Sequence, residues 1–227
     1  MIGVTGASGH LGSAIMGLLP NALPIGRALP ESPVNGLIHC AATNYRDEVA
    51  VGEFVDFLMD VRDYVRRYEI RNVVIVGSWW QYAEGNARTL LYTNLKDQQS
   101  RLFRRHVHVI PYSIYGDQPR PGRGFIPQLI QAINDGIPLT GLSNEPRDFI
   151  HVTDVARACI AALAAPPGTY LAATRTTITP RQIATQYAVT APDYVEFPSA
   201  TPDYPFPDVP SWAPQTALDA HIRARLT

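Results

Sequence analysis

The sequence is poor in lysine and cysteine and has no excess of charge of either sign. Its 227 residues include 18 arginines but a single lysine, Lys96, and the 19 basic residues are balanced by 20 acidic ones. A nucleic-acid partner is not expected, because phosphate neutralisation requires a clustered basic excess. No apolar run approaches the ~20 residues that span a bilayer, so no membrane partner is expected either.

The two cysteines exclude further classes of protein. Cys40 and Cys159 lie in apolar stretches without the CxxC or Cys/His spacing of a disulfide framework or a structural zinc. We therefore predict no metal site. The N-terminus lacks the basic region and cleavage site of a signal peptide, so we expect a cytoplasmic protein.

Strand and helix patterns alternate along most of the chain. Apolar, β-branched runs predict strands, and apolar residues at helical spacing predict the intervening helices. The predicted strands lie at 2–5, 22–26, 36–42, 72–78 and 106–110, and the predicted helices near 14–18, 46–69, 92–105, 125–135 and 153–164. This alternation indicates an α/β, Rossmann-like, doubly wound parallel sheet with ligand sites beyond the carboxyl ends of its strands.

A glycine run lies directly between the first strand and the first helix. In VTGASGHLG the glycines are Gly6, Gly9 and Gly12. Gly6 would permit a tight turn, Gly9 would let a pyrophosphate approach the backbone, and Gly12 would let the helix pack closely on the sheet. The helix N-terminus would supply amides to the phosphates. A dinucleotide site is favoured over a merely structural turn.

The residues after the second predicted strand bear on the choice of cofactor. An acidic residue there would accept hydrogen bonds from the ribose 2′-hydroxyl of NAD, but this chain has Gly26 and Arg27. A guanidinium binds phosphate well, so NADP is favoured slightly over NAD. The alternative is that Arg27 is only a solvated surface charge.

Tyr92 and the only lysine, Lys96, lie four residues apart on one predicted helix and so project from one face. A phenol with a pKa of ~10 exchanges protons poorly near neutrality unless a nearby ammonium stabilises its phenolate. A lysine ammonium can do this and also donate to the ribose hydroxyls of a cofactor. We interpret the two residues as a catalytic pair.

Taken together, these motifs resemble those of the extended short-chain dehydrogenase/reductase family, the group of NAD-dependent sugar-nucleotide epimerases, dehydratases and reductases. The resemblance covers most of residues 1–165. It rests on VTGASGHLG, IHCAA at 38–42, VIVGSWWQYA at 74–83, YTNLK at 92–96, IPYSIYGD at 110–117 and RDFIHVTDVARA at 147–158.

The resemblance implies roles for individual residues. Tyr92 would be the catalytic acid/base, Lys96 its partner, and Ser78 the hydroxyl that bonds the reacting oxygen, although Ser78 could also be an ordinary strand-end cap. The positions that would bind the cofactor, besides Tyr92 and Lys96, are Gly6, Ser8, Gly9, His10, Leu11, Gly12, Arg27, Cys40, Ala41, Ala42, Pro111 and Tyr112. The positions that would bind the substrate are Trp79, Trp80, Ser113 and Arg147.

Several of these assignments leave an alternative open. Arg147 matches a position that grips a substrate diphosphate, but it could equally belong to a buried Arg-Asp pair. Trp79 and Trp80, where the family has small or polar residues, could narrow the substrate pocket, stack on a ring or be core residues. The family also has a longer loop between Ser78 and Tyr92, so this chain resembles a shortened member.

The resemblance also implies a domain division and an assembly. We expect an NAD(P)-binding Rossmann domain over 1–165, with 112–124 and 137–151 contributing to a substrate lobe completed by a small proline-rich unit, 166–227. Seven prolines between Pro192 and Pro214 predict an extended segment there, followed by a short helix within 216–226. The helices at 46–69 and 92–105 match those of a four-helix dimer interface, so a homodimer is expected.

The expected function is that of an NAD(P)-dependent epimerase or oxidoreductase, which transfers a hydride to or from a secondary alcohol carbon of a nucleotide-activated sugar. The Asp-Glu pair of the family's dehydratases is absent, which argues against dehydration. Two alternatives remain: a small-molecule ketoreductase, and a catalytically silent NAD(P)-binding regulator.

Overall fold

The computed structural model describes residues 1–42, 48–82, 90–116, 124–190, 194–195 and 204–226. In chain order its strands are β1 (Ile2–Thr5), β2 (Leu23–Ile25), β3 (Gly36–His39), β4 (Asn72–Val76), β5 (Val107–Pro111), β6 (Ser113–Tyr115), β7 (Leu142–Ser143), β8 (Arg147–His151), β9 (Gly168–Ala172), β10 (Thr177–Ile178) and β11 (Tyr194–Val195). Its α-helices are α1 (His10–Leu18), α2 (Glu48–Arg67), α3 (Leu90–Leu102), α4 (Phe125–Asp135), α5 (Val152–Ala162), α6 (Pro180–Gln186) and α7 (Leu218–Arg223).

The main sheet has six strands within this described part of the chain, all parallel, in the order β2-β1-β3-β4-β5-β9. The buried strands are rich in β-branched residues, as expected for a parallel sheet covered on both faces. Helices α1 and α5 pack on one face through residues such as Ile15 and Val155. Helices α2 and α3 pack on the other through residues such as Leu58 and Leu95. The predicted α/β, Rossmann-like, doubly wound fold is confirmed.

The chain reverses its direction of travel across this sheet at β1. It first moves outward from β1 to β2 and then returns to add β3 on the other side of β1. Ligands of doubly wound sheets bind at such a switch point, beyond the carboxyl ends of the strands. Here those ends carry the glycine run after β1 and the residues Cys40, Ala41 and Ala42 after β3.

A smaller unit is built on a second sheet, β10-β8-β6, in which β6 and β8 are parallel and β10 is antiparallel. Its hydrophobic cluster includes Phe149 of β8, Leu129 of α4, Ile183 of α6 and Ile222 of α7.

Two elements differ from the expected division into domains. Strand β9 lies beyond the predicted boundary at residue 165, yet it belongs to the main sheet, because the buried Leu171 and Ala172 extend the parallel pairing of β5. Helix α4 lies within the range expected for the Rossmann domain, but its buried residues Ile126 and Leu129 belong to the cluster of the smaller unit.

The C-terminal segment from residue 204 runs along the main sheet before the short helix α7. Pro192, Pro198 and Pro202 of the predicted extended segment lie outside the described residues. The amide of Leu171 donates to the Pro207 carbonyl (2.8 Å), and the indole of Trp212 donates to the Asp154 carbonyl (3.0 Å). No helix among the described residues is both long and apolar enough to cross a membrane.

Candidate active site

The glycine run adopts a conformation that glycine alone accommodates easily. Gly6 has a positive φ of 67°, and a Cβ atom there would lie 2.7 Å from the backbone nitrogen of Ala41. A Cβ atom on Gly12 would lie 2.0 Å from the Gly6 carbonyl oxygen, so α1 approaches the loop at its closest here. Helix α1 begins directly after Gly9, with no acidic residue in its first turn. The N-terminal amides of a helix and its partial positive charge suit a phosphate.

A cavity of about 380 Å³ opens beside this loop. Of the predicted cofactor residues, Gly6, Ser8, Arg27, Ala41 and Ala42 line it. Gly9, His10, Leu11 and Gly12 do not, since they form the start of α1, where Leu11 and Gly12 are buried. The structure adds a wall that sequence reasoning missed, formed by four residues of α2: Ala50, Glu53, Phe54 and Phe57. The volume is within the range of small-molecule and cofactor sites.

The structure corrects the reasoning about the cofactor. The preference for NADP assumed that no carboxylate lies near Arg27, but the Arg27 guanidinium pairs with the Glu53 carboxylate at 2.5 Å. Because Glu53 is on α2, far along the chain from β2, the local sequence around Arg27 could not reveal it. A guanidinium that already has a carboxylate partner is a poor argument for a 2′-phosphate.

Beneath the loop, a buried polar cluster occupies the carboxyl ends of β1, β3 and β4. The Thr5 hydroxyl bonds Nδ1 of His39 (2.8 Å), and the Cys40 thiol donates to the Thr5 carbonyl (2.9 Å). Burial lowers the pKa of His39 to about 3 and raises the pKa of the Cys40 thiol to about 12. The imidazole is therefore neutral and the thiol is not a nucleophile near pH 7.

Lys96 reaches this cluster from α3. Its ammonium is buried and donates to the Val76 carbonyl (2.9 Å) and to Oε1 of Gln99 (3.2 Å). Burial lowers the pKa of Lys96 from its ordinary 10.5 to about 8. The only lysine of the chain is thus held where β4 ends, at the same edge of the sheet as the glycine run.

This burial predicts a pH dependence of stability. Below pH ~8 the folded chain carries the full cost of a charged Lys96, and the cost disappears as the pH rises to ~10.5, because the folded chain then releases a proton that the unfolded chain retains. Relative to Lys96→Met, wild type should gain on the order of 3 kcal/mol of unfolding free energy between pH 7.5 and 10.5. Urea unfolding of both proteins at the two pH values measures this. Equal changes in the two proteins would show that Lys96 is not buried as described.

Tyr92 lies on α3 one turn before Lys96 and is half-buried. Ser78, also buried, follows β4 and precedes a 3₁₀ turn at Trp79–Gln81. This position also suits the alternative role of Ser78, that of an ordinary cap at the end of a strand.

Sequence reasoning missed Gln81, which ties the Ser78 segment to the helix that carries Tyr92 and Lys96. Its Oε1 accepts from the Ser78 amide (2.8 Å), and its Nε2 donates to the Ser100 hydroxyl of α3 (3.0 Å). A Cβ atom on Gly77 would lie 2.5 Å from this Oε1, so a larger residue there would displace the Gln81 side chain. The S-x-x-Q spacing of Ser78 and Gln81, typical of a capping box, is the sequence signal that could have identified this glutamine.

The predicted substrate residues lie together in a second, much smaller crevice of about 20 Å³. Trp79, Trp80, Ser113 and Arg147 line it, with Tyr112, Glu145, Pro146 and Asp148. The rings of Trp79 and Tyr112 stack with their centroids 4.6 Å apart. Tyr112, predicted as a cofactor contact, thus lies on this side of the site, and Pro111 pairs with Ala172 in the sheet.

The charged side chains of this crevice already have hydrogen-bond partners within the protein. Arg147 bonds Glu145 (3.4 Å). The buried Asp148 accepts instead from the backbone amides of Thr174 (3.0 Å) and Arg175 (2.7 Å) and from the Tyr204 hydroxyl (3.0 Å). The alternative of a buried Arg147-Asp148 pair is therefore wrong, because the Asp148 carboxylate bonds residues 174–175 and Tyr204 instead of Arg147.

Comparison with known proteins gives one family match, and several solved structures share the fold. The model of the NAD dependent epimerase/dehydratase family matches residues 97–173. No curated protein sequence matches the chain. The UDP-glucose 4-epimerase of Thermus thermophilus, solved with NAD, has a TM-score of 0.72 and 19% identity over 98% of this chain and 96% of that chain.

Two enzymes from Bacillus cereus also have a fold similar to that of this chain. The UDP-N-acetylglucosamine 4-epimerase has a TM-score of 0.73 and 17% identity over 99% of this chain and 97% of that chain. The UDP-glucuronic acid 4-epimerase, solved with UDP-glucuronic acid and NAD, has a TM-score of 0.76 and 15% identity over 99% of this chain and 97% of that chain. This likeness shows the shared fold, and the family match over residues 97–173 agrees with the predicted resemblance to NAD-dependent epimerases and dehydratases.

Proposed function

We propose, on the premise that this chain resembles the extended short-chain dehydrogenase/reductases, that it is an NAD-dependent enzyme acting on a secondary alcohol or ketone carbon. The observation that supports the proposal most strongly is that the glycine run and the buried lysine both lie at the carboxyl ends of the strands of the main sheet. The glycine run follows β1, and the ammonium of Lys96 bonds the carbonyl of Val76 at the end of β4. Such an edge is where doubly wound sheets bind dinucleotides.

The residues present fit a dinucleotide. A Cβ atom at Gly6 or Gly12 would collide with backbone, so the two glycines allow the loop to lie close to the start of α1. The backbone amides at the start of this helix would bind a pyrophosphate. Gly6, Ser8, Ala41 and Ala42 would hold the cofactor along the cavity. When bound, a nicotinamide cofactor supplies reversible hydride transfer.

Three side chains would handle the proton that accompanies this transfer. Tyr92 would take the proton from the substrate hydroxyl or return it. The Lys96 ammonium would stabilise the phenolate of Tyr92, as a positive charge near a phenol does. The Ser78 hydroxyl would bond the reacting oxygen and keep it in place.

The proposed substrate is a nucleotide-activated sugar, and the reaction is a 4-epimerisation or a ketone reduction. The epimerases of similar fold support it, since one is solved with UDP-glucuronic acid. Arg147 would contact the diphosphate, after exchanging its bond to Glu145 for one to phosphate.

A small-molecule ketoreductase is the second candidate, and the shape of the substrate crevice favours it. The crevice holds only about 20 Å³, Trp79 and Tyr112 stack across it, and Arg147 is neutralised by Glu145. A neutral, compact ketone would enter it with less rearrangement than a sugar diphosphate.

Product analysis separates the two candidates. The protein is incubated with NAD and each of a panel of UDP-hexoses, and separately with NADH or NADPH and a panel of small ketones. An epimerase gives a new UDP-hexose by NMR without a net change in absorbance at 340 nm. A ketoreductase consumes reduced cofactor in proportion to alcohol formed. If no compound gives either of these two signals, the proposed activity is contradicted.

The proposed assembly is a homodimer formed through α2 and α3, which pack beside each other on one face of the main sheet. Two large apolar side chains on these helices are exposed, Val49 on α2 (72%) and Leu91 on α3 (42%). A second copy would cover them by adding its own two helices.

A further inference from the structure

The cavity beside the glycine run is lined by α2 as well as by the end of β2. Strand β2 is the edge strand of the main sheet as far as the chain is described, and the residues after it, Gly26 and Arg27, have no side-chain hydrogen-bond acceptor. Helix α2 supplies Glu53, the carboxylate of this cavity's lining, together with the aromatic rings of Phe54 and Phe57.

We propose that Glu53, held against Arg27, is the residue that makes the site select a nucleotide with a free adenosine 2′-hydroxyl and reject one with a 2′-phosphate. This inference rests on the proposed function of the cavity as a dinucleotide site. Glu53 is therefore a specificity residue contributed by a helix remote in sequence from the second strand.

The chemistry of the ion pair supports this role. A carboxylate only accepts hydrogen bonds, so its oxygens suit the hydroxyls of a ribose, whereas they repel a phosphate that carries two negative charges. The Arg27 guanidinium would attract that phosphate, but the Glu53 carboxylate lies 2.5 Å from the guanidinium and offsets its positive charge. Both side chains are partly open to solvent, Arg27 at 76% and Glu53 at 45%, so they can be reached by a ligand.

The test uses adenine nucleotides that lack the nicotinamide, so binding is measured without turnover. ADP-ribose and 2′-phospho-ADP-ribose are titrated calorimetrically into wild type, Glu53→Gln, Glu53→Gln/Arg27→Gln and a control. The control is Asp63→Asn, which removes one carboxylate from the same helix. Asp63 is also exposed and ion-paired, to Arg62 at 2.8 Å, but it is not part of the cavity.

We expect wild type to bind ADP-ribose more tightly. Glu53→Gln should change the ratio of the two dissociation constants at least tenfold toward the phosphorylated nucleotide, because Arg27 is released. The double variant should lose this gain, and Asp63→Asn should keep the wild-type ratio.

Different results would overturn different claims. If the nucleotides bind but Glu53→Gln leaves the ratio unchanged, or Asp63→Asn shifts it equally, the role of Glu53 is wrong while the dinucleotide site stands. If wild type binds neither nucleotide at millimolar concentration, the proposed function fails and the inference fails with it.

Discussion

Replacing Tyr92 by phenylalanine should lower kcat by about 10² to 10⁴, the range typical of a lost general acid/base. The cofactor should bind with unchanged affinity, because the ring remains and only the hydroxyl is removed. Lys96, one turn further along α3, would still bond Val76 and Gln99. The measurement is steady-state turnover of the substrate found by product analysis, with calorimetric titration of NAD for both proteins.

The matched control for this variant is Tyr170→Phe. The Tyr170 hydroxyl donates to the Pro166 carbonyl, near the start of β9 and thus away from the carboxyl ends that form the site. Turnover should be that of wild type. If Tyr92→Phe is as active as wild type, Tyr92 is not the acid/base. If wild type itself turns over no compound in the product analysis, the silent NAD(P)-binding regulator becomes the better description of the protein.

Replacing Gly12 by alanine should destabilise the protein by about 3 kcal/mol and weaken NAD binding at least tenfold. The added methyl group would lie 2.0 Å from the Gly6 carbonyl oxygen and 2.7 Å from its carbon, and both are backbone atoms that cannot rotate away. Overpacking of this kind forces a backbone shift. The shift would move the loop that forms the cofactor site, so stability and binding should fall together.

Gly17→Ala in the same helix is the control. A Cβ atom at Gly17 meets nothing within 4 Å. Alanine there should stabilise the protein by up to ~1 kcal/mol, because it favours the helix and restricts the unfolded chain. Urea unfolding measures both variants. Equal stability of Gly12→Ala and Gly17→Ala would contradict the close approach of α1 to the loop.

The main sheet was predictable because its signals are local. The β-branched run of β4 and the glycine run after β1 each determine structure within a few residues. The spacing of Tyr92 and Lys96 likewise predicts that the two residues lie on one helix, and the structure has both of them on α3. Strand β9 is not predicted from the sequence, because only two of the five residues of this edge strand are fully buried and its pattern is therefore weak.

The missed parts of the site depend on contacts between residues distant in sequence. Glu53 is 26 residues from Arg27 along the chain, and on α2 it reads as one of several acidic positions of a solvated helix face. Gln81 bonds Ser78 locally but reaches Ser100 on α3 only in the folded protein. Asp148 is adjacent to Arg147 yet bonds Thr174, Arg175 and Tyr204, which no local rule predicts.

We expect the cavity beside Gly6 to hold one nicotinamide dinucleotide in each chain. Native mass spectrometry of the protein, as purified and after addition of NADH, counts the dinucleotides bound per chain. We predict a species of two chains that carries one dinucleotide per chain, and loss of the dinucleotide in Gly12→Ala. A wild-type protein that is folded yet carries no dinucleotide at any NADH concentration would contradict the claim.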